Sequence, residues 1–161
     1  MTPEILVLLV AAASATNIIL KRHDISIKKI VEIVLLWSLV IGVGVFGVYA
    51  FVGHFFFADQ VAESIGWATG SPFQREVGFA DLAGGILGLM CLKWRGSFWL
   101  ATIVNFSIFS FGAAYGHILE IQRGNYAINN AGPVLYLDVA YPIFLIVLWI
   151  SFRFVNRESN K

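Results

Sequence analysis

The chain has 161 residues, of which 58% are hydrophobic and 13% charged, with a mean hydropathy of +0.79 and a formal net charge of +1. Soluble domains carry about a quarter charged residues, so an ordinary soluble domain is excluded and the bilayer is the solvent to reason with. Basic residues interleaved with apolar runs exclude a nucleic-acid footprint, and the single cysteine, Cys91, excludes an internal disulfide and reads as packing.

A hydrocarbon core about 30 Å thick needs roughly 20 apolar residues at about 1.5 Å each, and five runs of this kind lie between charged boundaries. The first is Ile5 to Leu20. Its "AAASA" is similar to a signal-peptidase site, but Glu4 precedes the run and the basic cluster follows it, so it reads as an uncleaved helix. The second, Val31 to Ala58, is long enough to tilt or to leave Glu32 in the interface, and closes on "FGVYAFVGHFF" with His54. The third, Val77 to Leu92, opens "VGFADLA" with Asp81. The fourth, Phe98 to Leu119, closes on "FGAAYGHILE" with His117. The fifth, Val134 to Phe154, opens "VLYLDVA" with Asp138, and Pro142 one turn later is expected to kink it and free a carbonyl. Residues 59–74 and 120–133 are read as loops, and the five tryptophans as an aromatic belt near span ends.

An N-terminus outside puts Lys21, Arg22, Lys28, Lys29, Lys93, Arg95, Arg153, Arg157 and Lys161 inside and leaves only Arg75 and Arg123 outside. That bias follows the positive-inside rule through every loop. The predicted fold is therefore all-α: a five-span transmembrane bundle, N-out and C-in, in one domain over 1–161. A leading helix and basic loop (1–29) precede a first hairpin (30–93) and a second (97–154).

The two hairpins resemble one another. "VGFADLA" and "VLYLDVA" align without gaps as Val, any, aromatic, any, Asp, Leu or Val, Ala, and each follows a span ending in Gly-His. Histidine and aspartate are costly inside spans, so their recurrence in one order points to a tandem duplication, as in parallel-repeat transporters. An axis along the membrane normal then gathers His54, Asp81, His117 and Asp138 round a centre. Asp81 shares a helix face with Gly84, Gly85 and Gly88, His54 with Gly47 and Ala50, and His117 with Ser110 and Ala113. Small residues at these spacings let helices approach closely.

Ionisable residues inside spans are functional candidates by default. Counting from the basic residues puts His117 about 30 Å up, Asp138 about 22 Å and Asp81 about 18 Å. This predicts a vestibule of His54, His117, Glu76 and Glu120 above a deeper Asp81 and Asp138 pair, open to the outside. Two carboxylates close together in low dielectric share a proton or hold a cation. Three readings follow: binding or translocation of a small cation or proton-linked solute; a redox enzyme or subunit using a divalent metal on His54, His117, Asp81 and Asp138, a haem between the histidines, or a quinone; and polar glue in a structural subunit. The partners implied are the lipid bilayer and a small cation or solute, with an oligomer or a larger membrane complex as further settings.

The strings "GSPFQREVGFADL", "RGSFWLAT", "GAAYGHI" and "NYAINNAG" together resemble a family of small, uncharacterised multi-pass proteins of bacteria and archaea, over roughly Gly66 to Asp138. That family is expected to carry Pro-Gly in the asparagine loop, where this chain has Ile128 and Asn129. The resemblance implies a prokaryotic cytoplasmic membrane and brings no activity with it. A more distant similarity to DoxX-like four-helix membrane proteins is one of architecture, which does not assign function.

Overall fold

Ser26 ends an extended stretch and its hydroxyl accepts the Lys29 amide at 3.3 Å, so the second long helix starts at Ile27, ahead of the apolar run itself. The computed structural model describes residues 3–158, and among them all regular structure is helical. In chain order come α1 (Pro3–Leu20), a 3-10 turn (Arg22–Asp24), α2 (Ile27–Phe56), α3 (Ala58–Ser64), α4 (Phe73–Met90), α5 (Ser97–Gln122), α6 (Ile128–Ala131) and α7 (Pro133–Glu158). Lys161 and the side chain of Arg157 lie outside the described residues.

Helices stand at all five predicted positions. Three segments are long and apolar enough to cross a membrane: Ile27–Phe56, Ser97–Gln122 and Ile128–Asn156. The α1 helix is apolar but shorter, and α4 carries Arg75, Glu76 and Asp81 within its eighteen residues, which dilutes its apolar character. Two stretches read as loops hold helix as well: α3 runs from Ala58 into 59–74, with Ala62 buried, and α6 lies in 120–133.

The most extensive helix contact in the bundle is between α2 and α4. Their backbones touch through facing glycines: a Cβ on Gly47 would lie 2.7 Å from the Asp81 carbonyl oxygen, and one on Gly85 would lie 2.8 Å from the Val48 nitrogen. Gly44 and Gly88 meet in the same seam. No side chain fits here, which is why the glycine faces read from sequence become a contact surface.

Between its ends α2 contains a π-helical stretch, Ser38–Val45, that sequence periodicity did not reveal. The wider turn changes the carbonyl pairing, and the buried Tyr141 of α7 donates its hydroxyl to the Ser38 carbonyl at 3.0 Å. Its ring tip fills the space over Gly42 that any side chain would need. Pro142 follows, buried inside α7; with no N–H to give, it leaves the Asp138 carbonyl without its usual intrahelical donor.

The basic ends converge. Glu32 accepts from Lys29 at 3.0 Å and from Arg95 at 3.1 Å, tying the start of α2 to the α4–α5 connection. Beneath them Leu35, Leu39, Val43, Trp99, Ile103, Leu145 and Trp149 form the core. Trp99 and Trp149 are packed inside the bundle beside its basic end: the Trp99 ring N–H finds the Cys91 carbonyl at 3.1 Å, and Arg95 and Arg153 lie over the two indoles at 5.0 and 5.8 Å. Cys91 is buried, as read.

The seam gives one substitution opposite signs at two sites. Gly85→Ala puts a methyl into the Val48 backbone and is expected to destabilise the bundle by about 1–3 kcal/mol. Gly112→Ala on α5, where nothing lies within 4 Å of the added atom, is expected to stabilise it by up to about 1 kcal/mol through helix propensity. Thermal unfolding in detergent, followed by circular dichroism, checks both; equal effects would remove the special status of the seam.

Candidate functional site

At the end of the bundle that carries α3 and α6, the glycine seam delivers His54 across the first turns of α4. Gln74, Gly78 and Asp81 lie on one stripe of α4, and Gly78 makes the room: a Cβ there would sit 3.3 Å from the His54 Cβ. The ring spans the gap, with Nδ1 2.7 Å from Gln74 Oε1 and Nε2 4.0 Å from Asp81 Oδ2.

The second hairpin repeats this arrangement with different elements. His117, near the end of α5, places Nδ1 2.8 Å from Asn130 Oδ1 on α6 and Nε2 3.8 Å from Asp138 Oδ2 on α7. The Asn130 amide is oriented by its other bonds, since Nδ2 donates to the Asn125 carbonyl at 2.9 Å and to the His117 carbonyl at 3.4 Å. Oδ1 therefore faces the ring, and Nδ1 must carry the hydrogen. Nε2 of a neutral ring is then an acceptor facing a carboxylate. The Nε2–carboxylate separations, 3.8 Å to Asp138 and 4.0 Å from His54 to Asp81, are within ion-pair reach but longer than a hydrogen bond.

The pairs differ in cover. Trp67, from the connection after α3, leans against His117 with ring centroids 5.9 Å apart and the planes tilted by 41°. Asn125 fastens that connection by donating to the Ile65 and Gly66 carbonyls at 2.8 and 3.2 Å. The His117 side chain is 8% exposed and that of His54 23%, whereas Asp138 is 21% exposed and Asp81 12%, so the second pair encloses its histidine and the first its aspartate.

Of the six residues singled out from sequence, four thus assemble as two His–Asp pairs. Each histidine's Nε2 comes within 4.0 Å of an aspartate oxygen, so the side-chain tips meet, and His117 and Asp138 each lie five residues in from helix ends, Gln122 and Pro133. Glu76 is exposed, and Glu120 pairs with Arg123 at 2.6 Å, so neither joins the pairs. The four-ligand metal cluster does not assemble either: among the described residues no group of three or more His, Cys, Asp or Glu converges on a point that could hold a metal ion. A haem between the histidines requires both rings to face a common plane, but each turns Nε2 to its own aspartate.

Gln74 does not stand out in the sequence, and Asn130 reads there as an outer-mouth or turn residue, because an amide at a span boundary reads as loop chemistry. The signal was present: a Gln or Asn seven or eight residues before each Asp of the shared frame. A cleft of about 390 Å³ lies beside the first pair, walled by Phe55, Phe56, Asp59 and Arg75, and lined by none of the six candidates.

An all-helical fold with three segments long and apolar enough to cross a bilayer defines a membrane protein. The chain belongs to DUF6790, a family of unknown function that matches residues 1–158. Comparison with curated proteins and with solved structures found no match.

The hydrogen-bond network fixes a tautomer, which ring nitrogen-15 NMR can read. Neutral His117 is expected to carry its proton on Nδ1, and Asn130→Leu to abolish that preference. An Nε2–H form in the unaltered protein would refute the assignment.

Proposed function

We propose that this is a small multi-pass membrane protein that binds, and moves across the bilayer, a small cation or proton-linked solute, using the two His–Asp pairs as its proton-holding groups. The observation that carries this reading is the pair itself, formed twice: an imidazole pinned at Nδ1 by an amide, with Nε2 turned to a carboxylate at 3.8 and 4.0 Å. Intramembrane His and Asp side chains in such relays mark proton and ion pathways. In this reading all five long helices cross the membrane, the N-terminus and the α3 and α6 end face outward, and the basic end faces the cytoplasm of a prokaryotic cell. The two hairpins descend from one duplicated unit, and the pairs sit in a polar pocket open outward. The competing structural reading keeps the same bonds as interhelical glue.

Reconstituted vesicles with an entrapped pH dye separate the two. Asp81→Asn and Asp138→Asn keep side-chain volume and hydrogen bonding, and each is expected to slow proton movement by roughly 10- to 100-fold, the scale of about 1.5–3 kcal/mol for a charged hydrogen-bond partner. The double variant should be no slower than the worse single one, because groups acting as a unit are non-additive. Proton movement that survives all three variants, or falls only as far as thermal stability does, sinks the transport reading and leaves glue.

Orientation is checked separately in a Cys91→Ala background. Cysteines at Ser71 and Asn129 should react with an impermeant reagent added to intact cells, and one at Ser26 should not; labelling at Ser26 reverses the topology.

A further inference from the structure

The cleft beside the first pair has a chemistry of its own. Asp59 on α3 and Arg75 in the first turn of α4 both line it, and their charges are opposite. Neither pairs with the other, and among the described residues neither meets any oppositely charged side chain within ion-pair distance. Asp59 is nevertheless held in place. Gly70 takes a left-handed conformation, φ 77°, that turns its amide N–H onto Asp59 Oδ1 at 2.8 Å and leaves Oδ2 free. Phe55 and Phe56 meet edge to face, ring centroids 5.0 Å apart, and make the apolar wall.

A simple anion in this cleft would meet Asp59, and a simple cation would meet Arg75. A molecule carrying both charges satisfies both walls at once, and an ammonium gains further from an aromatic face. At about 390 Å³ the cleft is at the small end of the roughly 300–1,000 Å³ typical of ligand pockets. We infer that it binds a small zwitterion: the carboxylate or phosphate end on the Arg75 guanidinium, the ammonium end on Asp59 Oδ2 and against the phenylalanines. Amino-acid-like solutes and zwitterionic lipid headgroups share this chemistry. Phe55 directly follows His54 and Arg75 directly follows Gln74, so a zwitterion bound here lies next to the first proton-holding pair. In naming a solute for proton-linked transport the inference rests on that reading; the binding itself does not.

Isothermal titration of the full-length protein in detergent tests it with five probes: L-alanine, glycine betaine, phosphocholine, acetate and tetramethylammonium. Binding of at least one of the three zwitterions, about tenfold or more tighter than either single-charge probe, is the expected result. Phosphocholine alone among them identifies a lipid headgroup, and L-alanine or glycine betaine a free solute. Arg75→Gln and Asp59→Asn should each weaken the bound zwitterion by about tenfold; the Asn keeps an acceptor for Gly70, and Arg75→Lys should restore part of the affinity. Acetate or tetramethylammonium binding as tightly as the zwitterions, or no binding by any probe to protein with an unchanged helical spectrum, overturns the inference. Zwitterion binding with no proton movement in vesicles overturns only the transport reading, and proton movement with no zwitterion binding overturns only this one.

Discussion

Two helix backbones in direct contact set the terms for the rest of this molecule. Where Gly44 and Gly47 face Gly85 and Gly88, no side chain separates α2 from α4, and their relative height and rotation are fixed by main-chain atoms. In lipid, where apolar side chains gain little by leaving their solvent, close backbone packing is a main source of helix association. The seam also places the chemistry. It fixes the Asp81 carbonyl against Gly47, and one turn onward Gly78 clears the space in which the His54 ring lies between Gln74 and Asp81. The second hairpin reaches an equivalent pair without such a seam. Gly112 and Gly116 on α5 have open space around them, and the holding is done by Asn130, Asn125 and Trp67.

Both histidines are presented by the same device. An amide oxygen takes the Nδ1 hydrogen and leaves Nε2 to the carboxylate, so ring orientation and tautomer are set by a group that does not itself titrate. This pinning keeps the imidazole from turning away from its partner. The environments then diverge. One pair sits beside an open cleft, and the other lies under an indole belonging to the opposite hairpin.

Much of this was legible in the sequence, for reasons of period and charge. Apolar runs between basic clusters located the long helices to within a few residues, and the glycine faces of α2 and α4 announced their contact. His54, Asp81, His117 and Asp138 stood out because ionisable groups in spans are costly. What stayed hidden depended on neighbours distant in the chain. Gln74 and Asn130 look like loop residues until the helices bring a histidine to each.

The π-helical stretch of α2 has a geometric consequence for the first pair. A π turn holds about one residue more than an α turn, so the azimuth of everything beyond Val45 depends on that extra residue being accommodated there. Rewinding Ser38–Val45 as ordinary α-helix would swing His54 by about 100° around the α2 axis, one residue's worth of rotation, and carry it off the face of α4. Tyr141 is bonded to the carbonyl of Ser38, at the start of that stretch, and sits one turn of α7 from Asp138. The register of one hairpin's histidine is thus clamped by a residue adjoining the other hairpin's aspartate.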